Sequence, residues 1–222
     1  MAGVAHEIEY RDRMQRAFLF DLDGTLVDSL EDIATALDAA LIDHGLSRPT
    51  RAQVRGWIGG GARSLVAHAV EPARVDSVLA RFVVHYADRP VVHTDLYDGI
   101  APVLDELRTR GDRLAVVTNK PQSLAAAICD RLLARWSFAA IVGQRDGTPP
   151  KPDPTVALAV ARDIDVPPAS CVFVGDQGTD IMTGRAAGMT TVGVTWGYRP
   201  RDELVAAGAS VIVDTADALL AV

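Results

Sequence analysis

Short runs of consecutive hydrophobic residues recur along the chain, and between them hydrophobic positions are spaced as in helices. A continuous apolar run bounded by turn residues is typical of a strand buried on both faces of a parallel sheet. The pattern therefore predicts an α/β fold with a parallel sheet and helices on both faces. The predicted strands are 17–20, 114–117, 140–142, 171–174, 191–195 and 211–213. The predicted helices after residue 95 are 100–110, 122–133, 154–163, 179–187 and a final short one.

Between residues 29 and 95 the hydrophobic pattern is only helical. The first predicted helix has Ser29 as its N-cap, an apolar face that includes Ile33 and Leu37, and Gly45 at its end. Because no strand pattern appears here, we expect an all-α domain inserted into the sheet domain. Three further helices are predicted in it, at 51–57, 63–70 and 74–86. The predicted divisions are 1–28 for a tail and the first strand, 29–95 for this helical insertion, and 96–222 for the rest of the core.

Charge and composition narrow the class of protein. The 222 residues include 29 acidic and 22 basic ones, for a net charge of −7. Nucleic acids and membrane surfaces attract clustered basic residues, and no run of Lys and Arg occurs, so neither partner is expected. The first sixteen residues are polar and unlike a signal peptide, and no apolar run reaches membrane-spanning length. The sequence predicts a cytoplasmic enzyme.

Polar side chains follow three of the predicted strands. Asp21 and Asp23 come after the first strand, Thr118 after the second and Asp176 after a later one, while Lys151 lies in a proline-rich loop. Because ligands bind at the carboxyl ends of parallel strands, we expect these residues to meet on one rim.

The carboxylates on this rim predict a metal ion. Asp21, Asp23 and Asp176 would repel one another at short distance, and a divalent cation relieves that repulsion. Oxygen ligands without His or Cys favour Mg²⁺ over Zn²⁺. Mg²⁺ also neutralises phosphate oxygens. The residues therefore indicate phosphate chemistry on a small phosphorylated metabolite.

The same residues suggest catalytic roles. Asp21 is the predicted nucleophile, which attacks phosphorus and forms an aspartyl-phosphate. Asp23, two residues later on an extended segment, is the predicted acid and base for the leaving oxygen and for water, a role typically worth ~10²–10⁴ in rate. Lys151 is predicted to offer its charge to the phosphate and to the nucleophile.

Three further residues are predicted to bind phosphate. The Thr118 hydroxyl and the Asn119 backbone N–H are placed to hold a phosphate oxygen after the second strand. Gly24 lets the backbone turn tightly and approach the phosphate closely.

Four motifs in order resemble those of the haloacid dehalogenase superfamily. They are D-x-D-G-T at 21–25, V-T-N-K at 117–120, K-P-D-P at 151–154 and G-D with a later Asp within 174–180. The continuation at 26–29 is similar to the members that carry an inserted helical cap. The resemblance implies a Rossmann-like core, with Mg²⁺ bound by the Asp21 and Asp176 side chains and the Asp23 main-chain carbonyl. It also implies that Asp180 lies just behind these ligands or reaches the metal through water.

Within the superfamily, the segments 57–62, 118–121 and 194–198 resemble bacterial phosphoglycolate phosphatases, which favours 2-phosphoglycolate as substrate. One residue departs from that pattern: Gln177 stands where the fourth motif usually has Ser. Asp176 and Asp180 keep their places, so the resemblance still implies metal binding, with a different contact behind the ligands.

The glycine run at 59–61 has two readings that the sequence leaves open. It is either a plain helix break or a loop whose backbone N–H groups, at Gly60 and Gly61, meet the substrate, with Arg63 nearby to bind a carboxylate. It is not a nucleotide-binding P-loop, because no Gly-Lys-Ser/Thr follows.

Other functions remain as alternatives. A β-phosphoglucomutase-like enzyme also carries the second aspartate, and another small metabolite or pyrophosphate is an alternative substrate. Phosphonate-cleaving and dehalogenating relatives replace that aspartate, so Asp23 argues against them. A signalling receiver domain is phosphorylated on an Asp of a middle strand and has no helical insertion. The D-x-D-G-T on the first strand and the extra helices therefore argue against that class. Oligomeric state is not predicted.

Overall fold

The computed structural model describes residues 15–222 and confirms the α/β prediction. Its strands are β1 (Ala17–Phe20), β2 (Val27–Asp28), β3 (Asp95–Leu96), β4 (Arg113–Pro121), β5 (Ala140–Gln144), β6 (Cys171–Gly175), β7 (Thr190–Val194) and β8 (Val211–Val213). Six of them form a parallel sheet in the order β5-β4-β1-β6-β7-β8. The predicted tail at 1–16 lies outside the described residues except for its last two.

Helices cover both faces of this sheet. They are α1 (Leu30–Asp43), α2 (Arg51–Trp57), α3 (Gly61–Ala69), α4 (Val75–Asp88), α5 (Ile100–Thr109), α6 (Gln122–Leu132), α7 (Thr155–Asp163), α8 (Gly178–Ala186) and α9 (Arg201–Ala207). The predicted final helix is the 3₁₀ segment Ala216–Ala221. Among the residues described, no helix is long and apolar enough to cross a bilayer.

Strand β1 lies at the centre of the sheet because all four of its residues are apolar. Phe18 and Phe20 pack into the hydrophobic cluster on one face, and Ala17 and Leu19 pack into the cluster on the other. β1 pairs in parallel with β4 on one side and β6 on the other. The residues that follow β1, β4 and β6 therefore emerge at neighbouring positions on one rim.

Strand β4 is longer than the sequence predicts. The predicted strand ends at residue 117, but the extended backbone continues through Thr118, Asn119 and Lys120 to Pro121. Side chains alternate along an extended segment, so Thr118 and Lys120 point to the same side. This continuation carries a lysine to the rim that the predicted site does not include.

A two-stranded antiparallel ribbon joins the ends of the helical insertion. Val27 pairs with Leu96 and Asp28 with Asp95, so the chain enters and leaves the insertion side by side. Sequence periodicity misses β2 and β3 because each has only two residues. Helices α1 to α4 lie between them, and α1 packs along α4. The domain division at 28 and 95 stays a prediction.

The carboxylate of Asp32 holds the end of the insertion in place. It accepts hydrogen bonds from the backbone N–H groups of Val92, His93 and Thr94, at 2.8–3.1 Å, and from the Thr94 hydroxyl at 2.6 Å. Burial raises the pKa of Asp32, but these hydrogen bonds outweigh it, and the pKa lies below its ordinary value. Asp32 thus connects α1 to the segment that leads into β3.

Candidate active site

Three buried carboxylates meet at the rim of the sheet. Asp21 follows β1 and Asp176 follows β6, and the Asp21 N–H donates to Val174 O at 2.9 Å, which continues the pairing of the two strands. Asp180 lies in the first turn of α8. One carboxylate oxygen from each of Asp21, Asp176 and Asp180 lies within 4.8 Å of the others. This oxygen cluster is compatible with a divalent cation.

Lys151 joins two of these carboxylates. Its Nζ donates to Asp180 Oδ1 at 2.6 Å and lies 2.9 Å from Asp21 Oδ1, with its side chain 3% exposed. Burial lowers the pKa of Lys151, but the charges of Asp180 and Asp21 outweigh it and raise that pKa above its ordinary value. The rim thus fixes one ammonium group beside Asp21.

Crowding shifts the pKa values of the other two carboxyl groups. Burial and the charges of Asp180 and Asp21 raise the pKa of Asp176 well above 3.8, against the opposing hydrogen bond from the Tyr198 N–H and the charge of Lys151. Burial and the charge of Asp21 raise the pKa of Asp180 to about 7, although Lys151 opposes them. One lysine does not balance three carboxylates, so this corner of the site favours a cation.

Asp23 is separated from this cluster and has its own partners. Lys120 Nζ lies 2.9 Å from Asp23 Oδ1 and 3.0 Å from Oδ2. The Ser29 hydroxyl donates to Asp23 Oδ1 at 2.5 Å. Lys120 and Ser29 are absent from the sequence-predicted site. The signal for Lys120 was its position two residues past Thr118 on an extended segment.

The Thr118 and Asn119 side chains make different contacts. Thr118 lines the cavity, and its hydroxyl oxygen accepts from the Lys120 N–H at 3.3 Å. The Asn119 side chain accepts from the Lys151 N–H at 2.9 Å and donates to the Lys151 and Gly59 carbonyl oxygens at 3.2 and 3.0 Å. Asn119 therefore connects β4 to the loop that carries Lys151 and to the glycine loop of the insertion, residues 59–61.

Gly24 lies against a carboxylate. Its φ is +84°, and a Cβ there would lie 2.5 Å from Asp176 Oδ2. Only glycine meets both conditions, since other residues rarely adopt positive φ and would also displace Asp176. Gly24 thus lies against Asp176 in the structure, and its approach to a phosphate stays a prediction.

A cavity lies between the rim and the helical insertion. Asp21, Asp23, Thr118, Asn119 and Lys120 line its floor, and Gly59 and Gly61 reach it from the insertion. Its remaining wall is mainly apolar and includes Ile33, Ile58, Ala62, Leu65, Phe82, Pro121 and Leu124.

Two residues predicted to bind substrate are not among the described residues that line this cavity. Gly60 packs against the Ser64 side chain. Arg63 is exposed and pairs with Asp76, with 2.6 Å between Nη1 and Oδ1. The geometry thus brings Gly61 to the site but not Gly60 or Arg63, because Arg63 points along the outer surface of the insertion.

Gln177, the residue that departs from the family pattern, lies against the insertion. Its side chain is buried and occupies the space where a Cβ on Gly59 would lie. Its Nε2 has no hydrogen-bond partner in the described chain. Its backbone N–H donates to Asp180 Oδ2 at 3.0 Å. The unusual residue in the fourth motif therefore touches both the carboxylate cluster and the glycine loop.

Two arginines join the insertion to the loop after β7. Arg55 of α2 donates to Gly197 O at 2.6 Å, and Arg199 donates to Ile58 O at 3.1 Å. In the same loop, the Tyr198 N–H donates to Asp176 Oδ2 at 2.7 Å. The loop that holds Asp176 is thus in contact with the insertion.

Comparison with known proteins agrees with this geometry. A phosphoglycolate phosphatase of Pseudomonas putida is 35% identical over 216 residues, which cover 93% of this chain and 79% of that protein. A phosphoglycolate phosphatase of Aquifex aeolicus is 38% identical over 183 residues, which cover 82% of this chain and 86% of that protein. The crystal structure of a protein from Lactobacillus delbrueckii subsp. bulgaricus matches with a TM-score of 0.86 and 31% identity, over 93% of this chain and 97% of that one. Since the model of the haloacid dehalogenase-like hydrolases also matches residues 18–194, the chain belongs to that family.

Proposed function

We propose that this protein is a magnesium-dependent phosphatase that hydrolyses a small phosphomonoester through an aspartyl-phosphate on Asp21. The observation that carries the proposal is the separation of two nearby carboxylates. Asp21 lies with Asp176, Asp180 and Lys151, whereas Asp23 lies with Lys120 and Ser29. Two carboxylates in different surroundings are suited to two different roles.

The carboxylate cluster supports the magnesium assignment. Asp21 and Asp176 would hold the ion with the Asp23 main-chain carbonyl, and Asp180 would stand behind them beside Lys151. The fit rests on buried oxygen donors within 4.8 Å of one another. Burial and the neighbouring carboxylates raise the pKa values of Asp176 and Asp180, and a bound cation would relieve that repulsion. When bound, Mg²⁺ would neutralise phosphate oxygens and fix the phosphorus in line with the nucleophile.

Asp21 is oriented for attack on phosphorus. Its Oδ1 accepts from the Leu22 N–H at 2.7 Å and lies 2.9 Å from Lys151 Nζ, so the carboxylate has a fixed direction. Lys151, beside Asp21, would offer its charge to the bound phosphate, and Thr118 lines the cavity floor together with Asp21. The Asn119 backbone N–H, next to Thr118 at the end of β4, would donate to a phosphate oxygen as well.

Asp23 is the proposed acid and base. It lines the cavity two residues after Asp21 but makes its ion pair with a different lysine. In the first step it protonates the leaving oxygen, and in the second it takes a proton from the water that hydrolyses the aspartyl-phosphate.

The first substrate to test is 2-phosphoglycolate. Relatives of this chain are named phosphoglycolate phosphatases. The apolar wall favours a short substrate, because a hexose would place hydroxyl groups against Ile33, Leu65 and Phe82, whose side chains offer no hydrogen bonds. The same wall disfavours the sugar-phosphate mutase alternative.

A phosphate-release screen tests the proposal. Purified protein with Mg²⁺ should release inorganic phosphate from 2-phosphoglycolate faster than from hexose phosphates or pyrophosphate, and chelation should stop the reaction. Asp21→Asn should remove turnover while the thermal unfolding transition persists. Retained turnover in Asp21→Asn with saturating Mg²⁺ would refute the nucleophile assignment.

A further inference from the structure

A buried chain of polar groups runs from the helical insertion to Asp23. Lys120 Nζ contacts both Asp23 oxygens, at 2.9 and 3.0 Å, and its side chain is 3% exposed. The same Nζ donates to Tyr86 Oη at 2.8 Å and lies 4.4 Å from the centre of the Tyr86 ring. Tyr86 is itself 1% exposed.

The members of this chain come from different parts of the fold. Tyr86 belongs to α4 in the helical insertion, Lys120 to the extended end of β4, and Asp23 to the loop after β1. Since the ammonium group lies between the Tyr86 hydroxyl and the Asp23 carboxylate, its position depends on both. The contact of Tyr86 with Lys120 thus links α4 of the insertion to the position of Asp23.

We propose that Lys120 is a positioning residue for Asp23, and that Tyr86 of the helical insertion completes this positioning when the insertion lies against the sheet. The inference rests on the proposed acid–base role of Asp23. It assigns Lys120 no contact with phosphorus and no proton transfer of its own.

The physical basis is orientation. A carboxylate that must meet a leaving oxygen needs a fixed direction, and displacement by about 1 Å can reduce the rate ~10²-fold. Two contacts from one buried ammonium group restrain both Asp23 oxygens, and Ser29 restrains only Oδ1. Without Lys120, the carboxylate keeps a single side-chain hydrogen bond and can rotate.

The test compares two substrates that differ in their need for an acid. p-Nitrophenyl phosphate releases a stable phenolate, whereas 2-hydroxyethyl phosphate releases an alcohol that needs protonation. The measured quantity is kcat/KM, which extends only to departure of the leaving group. Neither substrate has a charged group other than its phosphate, so binding of a carboxylate does not affect the comparison.

Lys120→Met removes the ammonium group and keeps an unbranched side chain as long as the aliphatic part of lysine. We expect its kcat/KM for 2-hydroxyethyl phosphate to fall at least ~10-fold more than for p-nitrophenyl phosphate, a part of the full acid contribution. Tyr86→Phe keeps the ring beside Lys120 and removes only the hydroxyl. Its kcat/KM for 2-hydroxyethyl phosphate should therefore also fall more than that for p-nitrophenyl phosphate, but by a smaller factor. Arg81→Met, which removes an exposed cation from the same helix, should change neither value.

The outcomes separate this inference from the proposed function. Equal losses on both substrates in Lys120→Met and Tyr86→Phe would overturn the positioning role and leave only a structural one. If Lys120→Met does not fold, Tyr86→Phe decides alone. A wild-type protein that hydrolyses neither substrate, nor 2-phosphoglycolate, would instead contradict the proposed function.

Discussion

The side chain of Gln177 occupies the space beside Gly59 in which any larger residue would place its Cβ. Gly59 has a φ of +123°, a conformation that disfavours side chains for a second reason. Its carbonyl oxygen is held by Asn119 at the same time. Gln177 and Asn119 therefore both hold the glycine loop of the insertion against the sheet domain. Gln177 also contacts Asp180 of the carboxylate cluster.

Gly59→Ala is expected to weaken catalysis by moving this loop. The new methyl group would collide with Gln177 and displace the insertion, so kcat/KM should fall ~10- to 100-fold. Steady-state kinetics measure the loss. Gly56→Ala is the matched control, because it lies in α2 with no neighbour near the added Cβ and should leave kcat/KM unchanged.

Gln177→Ser is expected to reduce the damage caused by Gly59→Ala, because the shorter side chain leaves room for the methyl group. A double-mutant cycle on kcat/KM should therefore show clear coupling between residues 59 and 177. Strictly additive losses would show that the backbone conformation of Gly59, and not its contact with Gln177, sets the requirement for glycine.

Gly24→Ala is expected to abolish Mg²⁺-dependent activity, because its Cβ would displace the Asp176 carboxylate. Activity measured across a Mg²⁺ titration would detect the loss. Gly45→Ala separates the clash with a neighbouring side chain from the strain of a positive φ. Gly45 has a φ of +67°, but nothing lies near its added Cβ. That control should lose ~1–2 kcal/mol of unfolding free energy and keep its activity. Full activity in Gly24→Ala would contradict the contact.

Asp32→Asn should destabilise the fold by about 2–3 kcal/mol, because four donors lose a charged acceptor. The folded-state pKa of Asp32 is lowered from 3.8. The stabilisation is therefore present above that value and is lost as the pH falls through the folded pKa. Urea unfolding at neutral and acid pH should show the difference between wild type and variant shrinking at acid pH. Asp163→Asn, an exposed pair with Arg162, should show little effect at either pH.

Magnesium should stabilise the protein more as the pH rises. The pKa of Asp180 is raised to about 7 and that of Asp176 is raised as well. The contribution of the Asp180 carboxyl group to the stability of the metal-free protein is therefore fully present below 3.8, the ordinary value for an aspartate, and is lost as the pH rises through about 7. Mg²⁺ binds the charged carboxylates, so the Mg²⁺-induced increase in Tm should grow between about pH 5 and pH 8.

Calorimetry with and without Mg²⁺ measures this difference. Asp180→Asn removes one titrating group and should flatten the dependence on pH. A Mg²⁺ effect on Tm that is independent of pH in the wild-type protein would contradict the crowding of these carboxylates.

The sequence alone determined the sheet, the rim and the family. Four apolar residues at 17–20 have no polar face, which predicts a buried strand, and the structure confirms its burial on both faces. The order of the strands comes from the structure alone. The residues after such strands share a rim through the geometry of parallel sheets, which places Asp21 and Asp176 together without coordinates. These inferences are local, since they depend on residue order within one strand or one motif.

Only the tertiary structure decided which side chains touch across the fold. Tyr86 and Lys120 are 34 positions apart, and they meet because the Tyr86 side chain of α4 reaches the ammonium group at the end of β4. Arg63 lies next to the glycine loop in sequence, yet it faces outward to Asp76. Such contacts depend on how the insertion packs on the sheet, and hydrophobic periodicity gives the burial of a helix face but not its partner on another element.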